Sequence, residues 1–551
     1  MTKESKKGVV VNRPLPQAFA TRRTFLRGSL GTMVAAAATA SLAACGGTSD
    51  DSGSDAGASG EGTEEKVLRV GLNNPKTTFD TQQTSTTWGA SENVCDTLIT
   101  LNPETLELEP NLVTGLPEVS DDGLTYSFEL KDGVKFHDGT TLKASDVKYT
   151  LTRLIKLNEQ ADSYIYIAGS EELQAGSTDE LAGVEVQDDT HFTITLSSVY
   201  SSFPYMLAEF YASIYPEAAC EAAGEAWGSG TNLIGTGPFK LASNDDQTEV
   251  VLEANPDYHQ GKPALDKVVV TYIDDANTRM MNYKNDDIDL CNIDISLLEQ
   301  YTNDADVKDQ IVYYTPASTQ FVNINLNDER LANKDLRQAM SLAINRQELC
   351  DTVLAGAAEP CSGFITPTET ASDKDAEPFE YDPDKAKELV ANCGITDLNF
   401  TAEVRSQDQA VMIALQNYWS QIGINIEVQV IDAGLWRQER ADGTLLLSLV
   451  TWSTLSFVGV EHMGSYFRSD KAAQKSSFYN SATFDELVDK ARATNDVAES
   501  EQYTIQADRQ LCREDYGTIP VDWPQQPYVL CQGFDGLEVL VNFHYKNMTK
   551  A

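Results

Sequence analysis

Histidine is scarce in this chain of 551 residues: there are five, scattered, and none falls into an H-E-x-x-H or H-x-H pattern, so no metal site of that kind is readable. The nine cysteines include no C-x-x-C, which argues against a zinc ribbon or a thioredoxin-type pair. No G-x-S-x-G elbow occurs, which removes the strongest serine-hydrolase signal. Gly235-Thr236-Gly237 begins like a dinucleotide fingerprint, but Pro238 follows and no third glycine arrives at the required spacing. Basic residues are also few, 41 Lys and Arg against 84 Asp and Glu, for a net charge of −43. Such a surface repels phosphate backbones and anionic lipid, so no nucleic-acid partner is expected. Beyond residue 44 no apolar run approaches the length of a membrane helix; "LLLSLV" is the most apolar stretch and reads as a buried strand.

What the chain does have begins with a processing signal. Arg22-Arg23 followed by Phe25-Leu26 is the twin-arginine export pattern, and a weakly apolar Ala-rich stretch leads to Leu42-Ala43-Ala44-Cys45, which has the form of a bacterial lipobox. Residues 1–44 are therefore expected to be a signal peptide, with Cys45 lipidated as the new N-terminus. Residues 45–66, rich in Gly, Ser and acidic residues, form the anchored, self-repelling tether. Removing the first 44 residues takes away seven basic residues and one acidic one, so the mature chain of 507 residues carries −49. Eight cysteines remain in an oxidising compartment, and Cys350 with Cys361 and Cys512 with Cys531 are candidate disulfides.

From Val67 the pattern is mixed α and β. "TYSFEL", a turn at Lys131-Asp132-Gly133 and "VKF" read as a hairpin with Val134 and Phe136 on the apolar face. "SDVKYTLTRLI" reads as a helix with Ser145 as N-cap and Val147, Leu151, Leu154 and Ile155 on one stripe. A second hairpin is expected at "VEVQDDTHFTITL". The strands "LDKVVVTYI" and "DDIDLCNI" flank the helix "DANTRMMNY", an order that favours parallel strands. "NKDLRQAMSLAINRQEL" reads as one helix that buries Leu336, Ala339, Met340, Ala343 and Ile344. Val411, Ala414, Leu415, Tyr418 and Ile422 make another stripe, ended by Gly423 and followed by the alternating strand Ile424, Ile426, Val428, Val430.

Several segments in order carry a resemblance: "YSFELKDGVKFHDGTTLKASDVKYTLTRL", "GTGPFKL", "NPDYHQGKPALDKVVVTYI", "FVNINLN", "LRQAMSLAINRQEL", "YDPDKAKELVANCGI", "LQNYWSQIGINIEVQV" and "SSFYNSATFDELVDKARA". Over residues 66 to 530 the chain resembles the family 5 extracytoplasmic solute-binding proteins of ABC importers, which include oligopeptide-, dipeptide- and nickel-binding proteins. The resemblance implies an α/β, two-lobed periplasmic-binding-protein-like fold of type II, with an extra subdomain on one lobe and hinge closure around a ligand. Lobe I is then expected at 67–113, 235–322 and 521–551, the extra subdomain at 114–234, and lobe II at 323–520, with the hinge near "FVNIN" and "TIPVDW".

Two functional readings of His137-Asp138 follow. Beside a carboxylate, an imidazole could serve as the general base of an exported hydrolase or peptidase; on the family resemblance, "HDG" is instead a turn in the extra subdomain, away from the cleft. Binding without catalysis is expected, with no catalytic residue, metal or cofactor. The resemblance places Gln83, Ser85 and Trp88 in a lobe I loop, Asn323 near the hinge, Arg405 after a lobe II strand, and Trp452, Ser453, Thr454, Leu455 and Phe457 on the opposing wall. Oligopeptide-binding relatives have an aspartate for the peptide ammonium where this chain has Leu455 in "TWSTLSF", so that charge-assisted bond is missing here. Arg405 is a candidate partner for a ligand carboxylate or phosphate. The expected partners are a peptide or peptide-like solute, an ABC permease with its ATPase, and the membrane through the lipid; a monomer is expected, and a signalling lipoprotein on the same fold is the other non-enzymatic reading.

Overall fold

The strand Val67–Leu72 buries Leu68, Val70 and Leu72 and lies inside a seven-stranded sheet, between two strands that run parallel to it. On one side is Lys267–Tyr272, on the other Leu290–Asn292, and the helix Ala276–Lys284 connects them with its first turn capped by Asp275. The expected strand-helix-strand unit is thus present, with the N-terminal strand inserted in its middle. Antiparallel strands Glu249–Ala254 and Phe239–Asp245 extend one edge, and Gln526–Leu530 and Ile311–Tyr314 extend the other. The computed structural model describes residues 65–73, 78–83, 90–157, 164–245 and 248–551. The signal peptide, Cys45 and residues 46–64 of the tether lie outside the described residues, as do Ser85 and Trp88.

A second, six-stranded sheet runs in the order Ala358–Pro360, Ile519–Pro524, Ser318–Ile324, Leu447–Ser453, Asn399–Val404, Asn425–Val430. Its strands are sandwiched: Val322, Ile324, Leu447 and Leu449 pack on a layer with Met340, Leu415 and Trp419, while Phe321 and Val450 face Tyr466, Phe467 and Phe484. Burial on both faces explains the unbroken apolar run "LLLSLV". The chain passes between the two sheets at residues 315–317 and again at Gln525. "FVNIN" and "TIPVDW" are therefore strands of the second sheet and not the crossing points, because Phe321 and Val322 pair on one side with Val450 and Leu449 and on the other with Pro520 and Ile519. The lobe boundaries expected at 322/323 and 520/521 move accordingly.

A four-stranded antiparallel sheet, Glu118–Val119, Thr125–Glu129, His191–Thr195 and Val184–Val186, carries the helix Ala144–Leu157, whose Val147, Leu151, Leu154 and Ile155 are all buried. Two local expectations change here. "TYSFEL" pairs with residues 118–119 and 191–195, and "VKF" folds instead onto Thr140 to Leu142, since the same alternation satisfies either pairing. The helix starts at Ala144, and Asp146, not Ser145, accepts the Lys143 N–H. The "HDG" loop packs on the segment that leads into the seven-stranded sheet: His137 Nε2 donates to the Gly237 carbonyl at 3.0 Å, and Nδ1 faces the Gly235 N–H at 3.4 Å. Asp138 turns away to Thr140. Burial pushes His137 down to about 4, and both ring nitrogens are occupied by backbone groups, so this imidazole is a poor, already engaged base and not the one a hydrolase reading of His137-Asp138 needs.

In the second lobe the long amphipathic segment is two helices, Lys334–Leu342 and Arg346–Thr352, because Asn345 caps the second through the Glu348 N–H. The five expected core residues stay buried. Helix Gln409–Ser420, Gly423 at φ 87° and strand Asn425–Val430 form the expected unit. All eight described cysteines are free thiols, so neither expected disulfide is present. Cys512 packs in the second lobe, whereas Cys531 sits beside Asp289 under the first sheet.

Candidate functional site

The two crossings lie side by side and are tied together: the Gln525 side-chain amide donates to Thr315 Oγ1 at 3.3 Å and to Glu359 at 2.9 Å. Next to them, Ser318 and Ser453 share a short hydrogen bond at the ends of their paired strands. The chain then leaves the sheet as "TLSF". Thr454 N–H donates to the Ala317 carbonyl, and Phe457 adopts φ 58°, an unusual conformation for a bulky residue that is held by the Thr370 N–H on its carbonyl. This turn brings Leu455 and Phe457 against a cavity of about 280 Å³. The opposite wall comes from the seven-stranded sheet and the C-terminal segment: Tyr314, Gln526, Tyr528, Val539, Val541 and Phe543. No charged side chain lines it among the described residues. Leu455, Phe457 and Val541 also border a smaller chamber of about 80 Å³ that reaches Glu92, Asp96, Glu209, His544 and Lys546.

The electrostatics of the chamber differ from one carboxyl to the next. Burial works against a charged Asp96, but His259 at 3.2 Å, Asn111 and Thr236 donate to it and outweigh that cost, holding it below the usual carboxylate range. Burial pushes Glu209 up to about 8, opposed only by a long bond from Tyr164 and reinforced by the charge of Glu461. Among the described residues no group of His, Cys, Asp and Glu is arranged to hold a metal ion.

Of the residues singled out in the sequence, Ser453, Thr454, Leu455 and Phe457 line the cavity. Trp452 points elsewhere, its Nε1 donating to Ser465 Oγ at 3.0 Å and its ring packing on Tyr466 with Lys475 above it. Asn323 is buried and donates to the Lys475 carbonyl at 3.0 Å. Gln83 is exposed and bonds Asp80. Arg405 is not brought to the cavity: its Nε donates to the buried Asp408 at 2.7 Å and its guanidinium lies 4.6 Å from the Trp436 ring centroid. The facing wall was missed, although the alternation "LEVLVNF" near the C-terminus was available as its signal.

The family model described as bacterial extracellular solute-binding proteins, family 5 middle, matches residues 107–474. The chain belongs to this family. It is an extracellular solute-binding protein of the kind that serves ABC transporters, as the ordered motifs implied, and its family is one of binders and not of enzymes. Among curated proteins it is similar to the glutathione-binding protein GsiB of Escherichia coli, 26% identical over 449 residues that cover 78% of this chain and 81% of the relative. The GsiB of Salmonella typhi is 27% identical over 445 residues, with the same shares covered. Among solved structures the fold is similar to DppA from Helicobacter pylori in complex with the peptide STSA, with TM-score 0.72, 23% identity, and 88% of this chain and 98% of that chain covered. It is also similar to the substrate-binding protein CtaP from Listeria monocytogenes, with TM-score 0.77, 23% identity, and 89% and 100% covered.

Two predictions concern charges in this solute-binding protein. Arg405→Ala is expected to lower stability by about 1 to 3 kcal/mol, because buried Asp408 loses its donor, while solute affinity stays within about threefold, a difference of under 1 kcal/mol; urea titration and calorimetry read the two. Asp522, beside the second crossing, is raised by burial from 3.8 to about 8, opposed only by Arg346, and its Oδ2 has no partner. A carboxyl raised by folding leaves the native state most stable below 3.8 and costs stability as pH climbs toward 8. Asp522→Asn should therefore stabilise by a few kcal/mol at pH 8, on the order of 1.4 kcal/mol per unit of relieved shift, and by almost nothing at pH 4. Equal effects at both pH values would contradict this.

Proposed function

We propose that this protein captures a peptide or peptide-like solute between its lobes and hands it to an ABC importer from a lipid-anchored position at Cys45. One observation carries the reading: a cavity walled by both lobes sits directly at the two crossings, where a small rotation opens or closes it. Its volume, near the lower edge of the ~300 to 1,000 Å³ usual for small-ligand sites, favours a short ligand. The lining fits a peptide: apolar Leu455, Phe457, Val539 and Val541 for side chains, and Ser318, Ser453, Thr454 and Gln526 for backbone amides. Relatives named for glutathione and a solved structure holding the peptide STSA support the same class.

Calorimetric titration of the mature chain with glutathione and with short peptides of two to five residues tests this. One-to-one saturable binding of at least one is expected; retention of a chemically different solute with no peptide bound would overturn the peptide reading. For the anchor, the mature protein should have the mass of residues 45–551 plus a diacylglyceryl group. Cys45→Ser should remain unprocessed and unlipidated, and an unchanged lipid adduct in that variant would remove Cys45 as the site.

A further inference from the structure

Glu209 stands apart from the other carboxyls of the smaller chamber. Asp96 is saturated by donors, and Glu92 accepts from the Asn542 amide. Glu209 is only 8% exposed, and among the described residues one long contact, from Tyr164, reaches its carboxylate. The single donor near Oε2 is the Tyr164 hydroxyl at 3.4 Å, which already gives its one proton to the Met206 carbonyl at 2.6 Å. The groups facing Glu209 from its own segment and the packed elements are Tyr164, Tyr200, Tyr211 and Glu461, the last neutralised by Arg492 at 2.7 Å. Across the chamber are Glu92, Asp96, His544 and Lys546. Among the described residues no cation pairs with Glu209.

A buried carboxyl with so little donor support is costly to ionise, and an incoming group that is both cationic and hydrogen-donating would supply what is missing. We propose that Glu209 receives a primary ammonium group of the captured solute, with Leu455, Phe457 and Leu540 as the dry walls around it. This deepens the peptide reading and rests on it, naming the end of the ligand that enters the small chamber while the rest lies in the larger cavity. Because burial keeps the empty carboxyl protonated up to about pH 8, ammonium binding drives its proton to solvent, and affinity rises with pH toward that value, by up to about tenfold per unit.

The test uses the full mature chain and its Glu209→Gln variant, which is isosteric, neutral like the protonated acid, and checked for folding by thermal melting. The probes are a mixed tripeptide library with free N-termini, the same library N-acetylated, and n-butylammonium chloride. Selective retention of the free library by the parent chain, lost at least tenfold in Glu209→Gln and strengthening from pH 6 to pH 8, is expected. Equal retention of both libraries, or unchanged retention by Glu209→Gln, overturns the ammonium site and leaves the peptide reading standing. Retention of neither library overturns the peptide reading instead. The ammonium site is then decided by n-butylammonium, which should raise the melting temperature of the parent saturably and that of Glu209→Gln not at all; equal or absent shifts overturn it.

Discussion

Glu369→Ala is expected to destabilise the protein by about 3 to 5 kcal/mol, the cost of removing one partner of a buried, hydrogen-bonded carboxyl–imidazole pair. Both side chains of the Glu369–His462 pair are 0% exposed. His462 Nδ1 faces the two carboxylate oxygens at 2.9 and 3.0 Å, Nε2 donates to the Trp452 carbonyl at 2.8 Å, and Glu369 also accepts the Thr366 N–H at 2.8 Å. Truncation leaves the imidazole and an amide without acceptors in a dry core and opens a void beside Phe364. The damage reaches function, because Trp452 is the residue from which "STLSF" departs for the cavity wall. Solute affinity should fall along with the urea midpoint. Replacing both partners, Glu369→Leu with His462→Leu, should recover much of the stability, since no unpaired polar group then remains; a double variant as unstable as Glu369→Ala would show that packing and not pairing dominates.

Gly235→Ala is expected to cost on the order of 3 kcal/mol by overpacking, although glycine's conformational freedom is not involved. A Cβ at Gly235 would lie 2.1 Å from the Val94 carbonyl oxygen and 2.7 Å from Cys95 Cα, backbone that cannot swing aside. The same segment presents Asn93, Cys95 and Asp96 to the small chamber, and the Gly235 carbonyl accepts the His137 N–H at 2.9 Å. Gly139 is the contrast: its φ is 89° and nothing lies within 4 Å of its added Cβ, so Gly139→Ala should cost only the backbone strain, about 1 kcal/mol. Thermal melts of the two variants separate close packing from conformation. Equal losses would contradict the reading.

Much of the fold was legible because periodicity reports burial. The stripes at Val147 to Ile155 and Val411 to Ile422, and the unbroken run at Leu445 to Val450, all lie where their patterns put them. Pairing was less legible. "VKF" alternates correctly for two different partners, and only the tertiary position of residues 118–119 and 191–195 decides between them. Asn345 inside an amphipathic run acts as a cap, which periodicity alone does not register. The site divided the same way. Ser453 to Phe457 follow an apolar strand and were found, but the facing wall comes from short strands such as Glu538–Val539 and Phe543–His544, whose alternation in "LEVLVNF" marks an apolar face without saying what it faces. Glu209 carried no signal at all, since its meaning lies in the missing partner.

Native mass spectrometry of the mature chain purified from its source, beside a Leu455→Trp variant, tests capture between the lobes most directly. Leu455 borders both the 280 Å³ cavity and the smaller chamber, so an indole there takes up space that a ligand would occupy. The parent chain should carry one additional mass per molecule, released on unfolding, and Leu455→Trp should carry none. The same adduct at the same occupancy in both proteins would contradict binding at this site.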